Sequence, residues 1–315
     1  MLPLWKEKLV LVGVHEPYSN GSQLIKNLFD QEVSPTMIYR LTDKVGEQSE
    51  SIIAELDDSG KRSFGEQEGM CVNVALDGSM ILTREEKWKE CKLGRVYQQE
   101  TSKTKEDNAK VKFLPIREEY AVTLGKKDEF TERIDKILGE INKDRKDIVF
   151  LSDGAAWIRN YIKEKYSECT HILDFYHLMS YIGEFVETLE PNKNFRKQVC
   201  EKVGFYLKKE GIESALRVIE ESYKIKSKKQ KEAKKKLDSY IESNKGQIDY
   251  PLYLSRGLQI GSGAVESAHR TLVQKRMKLS GQRWSKKGAK RLLNLRELTI
   301  SKRWDDIKCL FKKAA

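Results

Sequence analysis

The chain lacks any apolar run near the ~20 residues that a helix needs to cross a bilayer. Its most apolar early stretch, residues 9–14, is too short for the core of a signal peptide. The flank formed by Lys6, Glu7 and Lys8 carries both signs of charge, which is also unlike a signal peptide. We therefore expect a cytoplasmic protein with no membrane partner.

Cysteines are few and are not paired along the sequence. The five cysteines are scattered singly, and no C-x-x-C pair occurs. An odd, dispersed set is typical of free thiols, so we expect neither disulfides nor a structural zinc site. Most of these side chains are expected to be small buried residues.

The charge balance is basic, with 59 Lys and Arg against 48 Asp and Glu and a formal net charge of +11. A length of 315 residues predicts two or three folded domains. A composition of 34% charged and 39% hydrophobic residues is typical of a globular protein. Residues 270–303 hold twelve basic residues and one acid, and residues 224–236 hold eight lysines and one acid. Such concentrations favour a polyanion partner, although a lysine-rich segment is more often a solvated helix face.

The first fifty residues show helical periodicity. Residues 4–14 and 22–30 read as helices separated by a loop at 17–21. Ser34 and Pro35 then predict a helix start, with a capping hydroxyl followed by a proline in the first turn. The polar and basic face of this helix would carry Thr36, Tyr39, Arg40 and Lys44. Two helices joined by a short turn predict a DNA-binding helix-turn-helix, and an ordinary helical hairpin is the alternative.

The apolar period then changes to that of strands. Residues 71–76, 80–83 and 90–98 predict three strands, with Asp77-Gly78 as a turn between the first two. Residues 113–124 hold a further extended piece, and residues 127–142 predict an amphipathic helix.

A second group of elements follows. Residues 147–152 form a continuous apolar run typical of a buried parallel strand, and Asp153 comes directly after it. A helix over 155–166 and a strand over 171–174 complete a strand–helix–strand unit. From residue 177 to about 250 only helices are predicted. The pattern indicates an α/β sheet interrupted by a helical insertion.

Two carboxylates are predicted to end strands. Asp77 would close the first strand and Asp153 the fourth, where side chains from neighbouring strands converge. Carboxylate oxygens suit Mg²⁺ or Mn²⁺, which also accept phosphate oxygens as ligands. The alternative for Asp77 is a turn residue, and the alternative for Asp153 is a residue that ends the strand and caps the next helix.

A third carboxylate, Glu266, lies in the segment Gly261-Ser262-Gly263-Ala264-Val265-Glu266-Ser267. Glycine-rich backbone that opens into a helix can approach phosphate closely, with Ser262 as the expected N-cap. On this helix, Val265, Ala268 and Leu272 are predicted to be buried, and Glu266, His269, Arg270 and Val273 to share an adjacent face. Taken locally, Glu266 is better explained as a solvated surface residue.

Three ordered blocks resemble DDE-type bacterial insertion-sequence transposases, most closely the ISKra-type group. The first runs from Leu76-Asp77-Gly78 to Lys92-Leu93-Gly94-Arg95-Val96-Tyr97. The second is Ser152-Asp153-Gly154-Ala155-Ala156-Trp157-Ile158, followed by Ile172-Leu173-Asp174-Phe175-Tyr176-His177. The third combines the Glu266 segment with Leu279-Ser280-Gly281-Gln282-Arg283-Trp284. The resemblance covers about residues 15–305.

This resemblance implies a ribonuclease H-like mixed sheet core, interrupted by a helical insertion and preceded by a helix-turn-helix. The implied divisions are a helix-turn-helix domain (1–48), a linker (49–69), the first part of the core (70–177), the insertion (178–255), and the last part of the core with its basic tail (256–315). Asp77, Asp153 and Glu266 would hold two Mg²⁺ or Mn²⁺ ions as the catalytic triad. Asp174 and His177 would hold metal-bound water or a catalytic carboxylate, and a helix-capping Asp with a half-buried His is the alternative.

The implied function is DNA cleavage and strand transfer at the ends of an insertion sequence by two-metal chemistry. The expected partners are double-stranded DNA, as terminal repeats and target, and further copies of the chain on that DNA, in the bacterial nucleoid. Further DNA contacts are expected from the basic tail: Arg270, Lys275, Arg276, Arg283 and Trp284. The alternatives are a catalytically idle or truncated DNA-binding relative and a structure-specific nuclease on the same core. Fuller members of the branch carry more chain before the helix-turn-helix, so reduced recognition of the repeats is expected.

Overall fold

A computed structural model describes residues 2–64, 71–103, 111–139, 148–261 and 263–312. The chain divides into two compact units, a first unit of residues 1–142 and 265–315 and a second unit of residues 143–264. Antiparallel and parallel strand pairs both occur among the five strands of these described ranges, and helices make up most of the other elements. The α/β class is therefore confirmed. No helix in these described ranges is long and apolar enough to cross a membrane.

Three helices open the first unit: α1 (Pro3–His15), α2 (Tyr18–Phe29) and α3 (Pro35–Asp58). The Ser34 hydroxyl accepts a hydrogen bond from the Met37 N–H at 3.2 Å, which confirms the predicted cap. The loop prediction for residues 17–21 is wrong, because Pro17 precedes the first turn of α2 and the helix already begins at Tyr18. Leu9, Ile25 and Ile38 form the core between the three helices.

Helix α3 continues past the predicted domain boundary at residue 48. Ile53 and Leu56 extend the buried stripe of Ile38 and Val45 by two further turns, so the helix does not end before Asp58. Gly46 permits a close approach of α3 to a later helix, since a Cβ at this position would lie 2.8 Å from the Arg291 carbonyl oxygen. The segment predicted as a linker thus begins inside a helix.

Three antiparallel strands follow: β1 (Val72–Thr83), β2 (Lys87–Lys103) and β3 (Val111–Leu124), with β2 in the middle. The turn predicted at Asp77-Gly78 is wrong, because β1 runs through both residues, which pair with Leu93 and Lys92. The chain reverses after Thr83 instead. The Thr83 hydroxyl accepts from the Glu86 N–H at 3.2 Å and donates to the Lys87 carbonyl at 2.9 Å.

The remaining helices of the first unit lie on both sides of the second unit in sequence. Helix α4 (Lys127–Leu138) precedes the second unit. The predicted helix covers residues 127–142, and residues 140–142 lie outside the described ranges. The later elements of the chain are α11 (Gly263–Ala268), a π-helical turn (His269–Gln274), α12 (Lys275–Met277), α13 (Lys286–Ile300), a 3₁₀ turn (Trp304–Ile307) and α14 (Cys309–Lys312).

A buried ionic network joins these elements of the first unit. Glu297 on α13 is fully buried and contacts Arg62 at 2.7 Å and Arg133 at 2.5 Å. Both arginines also pair with Asp57, and Arg62 pairs with Glu119 on β3. Burial raises the pKa of Glu297, but the neighbouring Arg133 and Arg62 outweigh it and the pKa is lowered overall. The carboxylate therefore stays charged in the core.

The second unit begins with a parallel strand pair, β4 (Ile148–Ser152) and β5 (Thr170–Leu173), connected by α5 (Ala156–Lys165). This confirms the predicted strand–helix–strand unit. Only helices follow up to residue 255, as predicted, although the first of them begins a few residues before position 178. They are α6 (Phe175–Leu189), α7 (Lys193–Lys209), α8 (Ile212–Ser222), α9 (Lys228–Ser243), a 3₁₀ turn (Lys245–Gln247) and α10 (Tyr250–Ser255).

The compact units group the chain differently from the predicted domains. The first unit combines the N-terminal helices with β1–β3 and the basic tail, whereas the second combines β4 and β5 with the helical insertion. All five cysteines are free, as expected, but only Cys91 and Cys169 are buried and Cys309 is exposed.

Candidate active site

Asp77 lies in the middle of β1, at the point where the strand changes from buried to partly exposed residues. Its position there is set by pairing with β2, not by a strand end. One carboxylate oxygen, Oδ1, accepts a hydrogen bond from the Gly78 N–H at 2.6 Å. The other, Oδ2, lies 3.0 Å from Nε2 of His269. The Asp77 side chain is 24% exposed, so water and ions can still reach it.

His269 is the first residue of the π-helical turn that follows α11. It is buried, and Nε2 has no aligned hydrogen-bond partner among the described residues. Of the four residues predicted to share the adjacent face, His269 and Val273 are buried, and Glu266 and Arg270 are exposed. An i→i+5 turn rotates the residues after it relative to an ordinary helix, and such turns occur frequently at functional sites.

Glu266 lies in α11, three residues before His269, and its side chain is exposed. Ala268 and Leu272 are buried as predicted. The predicted N-cap, Ser262, lies outside the described residues, as does the side chain of Val265. The segment that carries Glu266 therefore approaches β1 through the contact between His269 and Asp77.

Further charged side chains line the same stretch of β1 and β2. The ammonium group of Lys278 donates to the Ser79 hydroxyl at 3.0 Å, and Lys92 contacts Glu90 at 2.5 Å. A Cβ on Gly78 would lie 2.7 Å from Oε1 of Glu90, so this carboxylate is close to the residue that follows Asp77. Lys92 offsets the negative charge of Glu90.

Asp153 lies in the second unit, directly after β4. Its Oδ1 accepts a hydrogen bond from the Ala155 N–H at 2.9 Å, immediately before α5 begins. Gly154 has a φ of +80°, and a Cβ there would lie 2.7 Å from Leu173 and 2.8 Å from Asn244. The Tyr240 hydroxyl donates to the Asp153 carbonyl at 2.7 Å. Helix α9 thus braces the turn that carries Asp153, which sequence patterns alone do not reveal.

Asp174 and His177 occupy the start of α6. Asp174 is fully buried and caps the helix, since its Oδ1 accepts from the His177 N–H at 2.7 Å. Its own N–H donates to the Ser152 carbonyl at 2.7 Å, one residue before Asp153. His177 takes part in this arrangement through its backbone, and its side chain is exposed.

A histidine that the sequence patterns did not single out lies beside β4. Nε2 of His171 is 2.9 Å from the Ser152 hydroxyl. Burial, together with the nearby Arg159, lowers the pKa of His171 to about 4. The ring is therefore neutral at physiological pH.

Among the described residues, no three His, Cys, Asp or Glu side chains are grouped so as to hold a metal ion. The partly exposed carboxylate of Asp77 is nevertheless the type of ligand that Mg²⁺ or Mn²⁺ takes. Mg²⁺ commonly uses one or two protein carboxylates and completes its shell with water and substrate phosphates. Asp77 offers a partly exposed carboxylate next to His269, whose buried ring nitrogen lacks an aligned partner.

The predicted DNA-contacting residues differ in exposure. The exposed ones are Thr36, Tyr39, Arg40 and Lys44 on α3, and Arg270, Lys275 and Arg283 in the tail. Arg276 is a correction, because its side chain is buried and donates twice to the Gly13 carbonyl, at 3.2 and 3.1 Å. Trp284 is partly buried, and its Nε1 donates to the Met277 carbonyl at 3.1 Å.

The lysine-rich segment lies mostly on α9. Two of its lysines pair with acids: Lys234 contacts Asp238 at 2.6 Å, and Lys236 contacts Glu184 at 2.6 Å. Part of its charge is thus balanced within the second unit.

The sequence matches the model of one protein family over most of its length. The model of the uncharacterised protein family UPF0236 matches residues 6–305. The chain belongs to this family. The matched residues include Asp77, Asp153 and Glu266. The description of UPF0236 assigns no activity, and no curated protein matches the chain.

Proposed function

We propose that this UPF0236 protein is the transposase of an insertion sequence, which cleaves and joins DNA with Asp77, Asp153 and Glu266. The proposal starts from the resemblance of three sequence blocks to DDE-type transposases. On this proposal, the antiparallel strands β1–β3 and the parallel pair β4–β5 belong to a ribonuclease H-like core, which the helical insertion α6–α10 interrupts.

The observation that carries the proposal is the 3.0 Å approach of His269 Nε2 to Asp77 Oδ2. These residues are distant in sequence, and Glu266 lies one helical turn before His269. Because the first and third blocks approach each other here, we propose Glu266 as a further member of the site around Asp77.

The three acids would act as ligands of two Mg²⁺ or Mn²⁺ ions. When bound, such ions activate a water or a 3′-hydroxyl group and stabilise the leaving oxygen of the phosphodiester. The protein would hold the acids in place: Gly78 and His269 orient Asp77, and Ala155 orients Asp153. Asp174 fixes the backbone next to Asp153 through Ser152.

DNA binding would use the exposed basic side chains of the first unit. Arg40 and Lys44 on α3, and Arg270 and Lys275 near Glu266, are exposed. Cationic side chains of this kind contact phosphates and position a duplex without reading its sequence. The basic net charge of +11 agrees with a polyanionic substrate.

The proposal is tested with the purified full-length chain and a DNA fragment that carries the sequences flanking its gene. Wild-type protein should cleave and join this DNA with Mg²⁺ or Mn²⁺. Asp77→Asn, Asp153→Asn and Glu266→Gln should each lower both activities by several orders of magnitude while duplex binding is retained. Glu213→Gln is the matched control, since Glu213 is also an exposed acid in the first turn of a helix.

Three outcomes separate this proposal from its alternatives. Cleavage without joining would indicate a structure-specific nuclease. Metal-independent DNA binding without any cleavage would indicate an idle binding protein. Full activity of Glu266→Gln would show that Glu266 is not part of the site and is a solvated surface residue.

A further inference from the structure

A pocket in the first unit, whose lining does not include Asp77, joins three parts of the sequence. It has a volume of about 390 Å³, within the range of small-molecule sites. Tyr18 and Tyr39 come from the N-terminal helices, and Arg84 comes from the turn between β1 and β2. Arg283 and Trp284 come from the segment before α13. The lining thus combines aromatic rings with guanidinium groups, and it contains no carboxylate among the described residues.

The pocket is held open by backbone contacts. The Trp284 N–H donates to the Leu82 carbonyl at 3.1 Å, and the Arg84 N–H donates to the Trp284 carbonyl at 2.8 Å. The buried Arg276 lies 5.1 Å from the Trp284 ring and 4.7 Å from the Tyr18 ring. Because these contacts fix the lining before any ligand binds, little ordering is needed on binding.

The aromatic side chains have ring surface left for a ligand. Tyr39 is 42% exposed and meets Tyr18 edge to face, with 5.5 Å between the ring centroids. Trp284 already uses its Nε1 in a hydrogen bond to Met277, so a ligand would meet its ring and not its N–H group. Flat faces of this kind stack on nucleobases of any sequence.

The polar groups of the pocket indicate the rest of the ligand. Oε1 of Gln282 is buried and has no hydrogen-bond partner in the described part of the chain. A buried acceptor without a partner is costly, so a ligand with an N–H group would be favoured here. The exposed Arg84 and Arg283 make no ion pair with any described residue and are suited to phosphate.

We propose that this pocket binds one unpaired nucleotide of a DNA strand. The base would lie against Tyr39 and Trp284 with an amino or imino N–H directed at Gln282, and its phosphate would contact Arg84 and Arg283. An unpaired base is required because the faces of paired bases are covered by their neighbours in the duplex. This inference rests on the proposed function, since it names the part of the DNA substrate that the first unit holds.

The test compares two DNA probes with the full-length chain. One is a blunt duplex, and the other is the same duplex with a short single-stranded overhang that contains 2-aminopurine. Wild-type protein should bind the overhang probe more tightly, and the 2-aminopurine fluorescence should be quenched by stacking. Tyr39→Leu should weaken overhang binding about ten-fold because the stacking ring is removed. Tyr39→Phe keeps the ring and should bind like wild type.

Two more variants separate the polar contacts from general charge. Gln282→Leu and Arg283→Ala should reduce the preference for the overhang. Lys287→Ala removes an exposed charge outside the pocket and should weaken both probes equally. Free deoxynucleoside monophosphate should compete poorly, because it lacks the rest of the strand.

Equal binding of the two probes by wild type would overturn the pocket assignment, as would equal weakening of both probes by Tyr39→Leu. Competition by the free nucleotide at the affinity of the overhang would instead make the pocket a mononucleotide site and also overturn the proposal. If these results occur while cleavage still depends on Asp77, the pocket assignment fails and the transposase proposal stands. Absence of binding to any DNA would overturn both.

Discussion

Nε2 of His269 lies 3.0 Å from Oδ2 of Asp77, which connects a π-helical turn near the end of the chain to a strand near its beginning. The side chain of His269 is 6% exposed and that of Asp77 is 24% exposed. The ring is therefore packed in place, while the carboxylate can still accept a ligand from solution. This difference makes His269 a positioning residue in the proposed site.

The first prediction concerns this pair. His269→Gln keeps a nitrogen donor at a reach similar to that of Nε2, whereas His269→Asn stops short of Asp77. We expect His269→Asn to lower DNA cleavage about 10- to 100-fold and His269→Gln to retain more activity, as for other residues that orient metal ligands. The Mg²⁺ concentration at half-maximal activity should be higher for His269→Gln than for wild type, and higher still for His269→Asn. Equal loss in both variants, with unchanged Mg²⁺ dependence, would mean that His269 only packs.

The second prediction concerns the buried ionic network. Glu297→Gln removes the charge between Arg62 and Arg133, so that only Asp57 and Glu119 remain as acids paired with the two guanidinium groups. Breaking a buried pair in this way costs about 3–5 kcal/mol, so urea denaturation should show a loss of this size. Glu132→Gln, an exposed change on α4, should alter stability little. A small effect of Glu297→Gln would contradict this prediction and would mean that Asp57 and Glu119 suffice as counter-ions.

The elements of the fold are largely predictable because their patterns are local. The apolar run Ile148–Ser152 followed by an acid predicts both the strand and the place of Asp153. The Asp77-Gly78 pair misleads for the same reason, since its turn preference is local and is overridden by pairing along β2. The contact of His269 with Asp77 depends on a π-helical turn and on residues far apart in sequence, which helical periodicity does not reveal.

The third prediction compares two exposed basic residues with a buried arginine. Arg270→Ala and Lys275→Ala should weaken DNA binding and reduce the slope of log affinity against log salt by about 0.9 for each phosphate that is no longer neutralised. Arg276→Ala should instead lower the unfolding midpoint, because Arg276 is buried against the Gly13 carbonyl. Fluorescence anisotropy over a salt series and thermal unfolding measure the two effects. A slope near zero for wild type would contradict phosphate binding altogether.

The fourth prediction is a pH dependence of stability from His171. Its pKa in the folded chain is about 4, below the ordinary value of 6.5, so the unfolded chain takes up a proton first as the pH falls. The contribution of His171 to the free energy of unfolding is complete above pH 6.5. It is lost as the pH falls from that value to about 4, and the loss is about 3 kcal/mol at most. His171→Gln should flatten this part of the profile in urea titrations. The same slope in variant and wild type would assign it to other groups.

The last prediction concerns the turn that carries Asp153. Gly154 has a φ of +80°, and a Cβ would lie 2.7 Å from Leu173 and 2.8 Å from Asn244, so Gly154→Ala must displace the turn. Gly257 is the matched control in the same unit, because its φ is +71° but a Cβ there has no neighbour within 4 Å. Both variants carry the backbone strain of an alanine at positive φ, about 1–3 kcal/mol, and should lose similar stability from it.

Only Gly154→Ala moves a proposed metal ligand. A misplacement of about 1 Å is expected to lower the rate of strand cleavage about 100-fold. Tyr240→Phe removes only the hydrogen bond to the Asp153 carbonyl and should have a smaller effect in the same direction. Cleavage rates are compared at a temperature where all variants are folded. If Gly154→Ala and Gly257→Ala cleave DNA equally well, the position of Asp153 does not matter for the reaction and the acid has no place in the site.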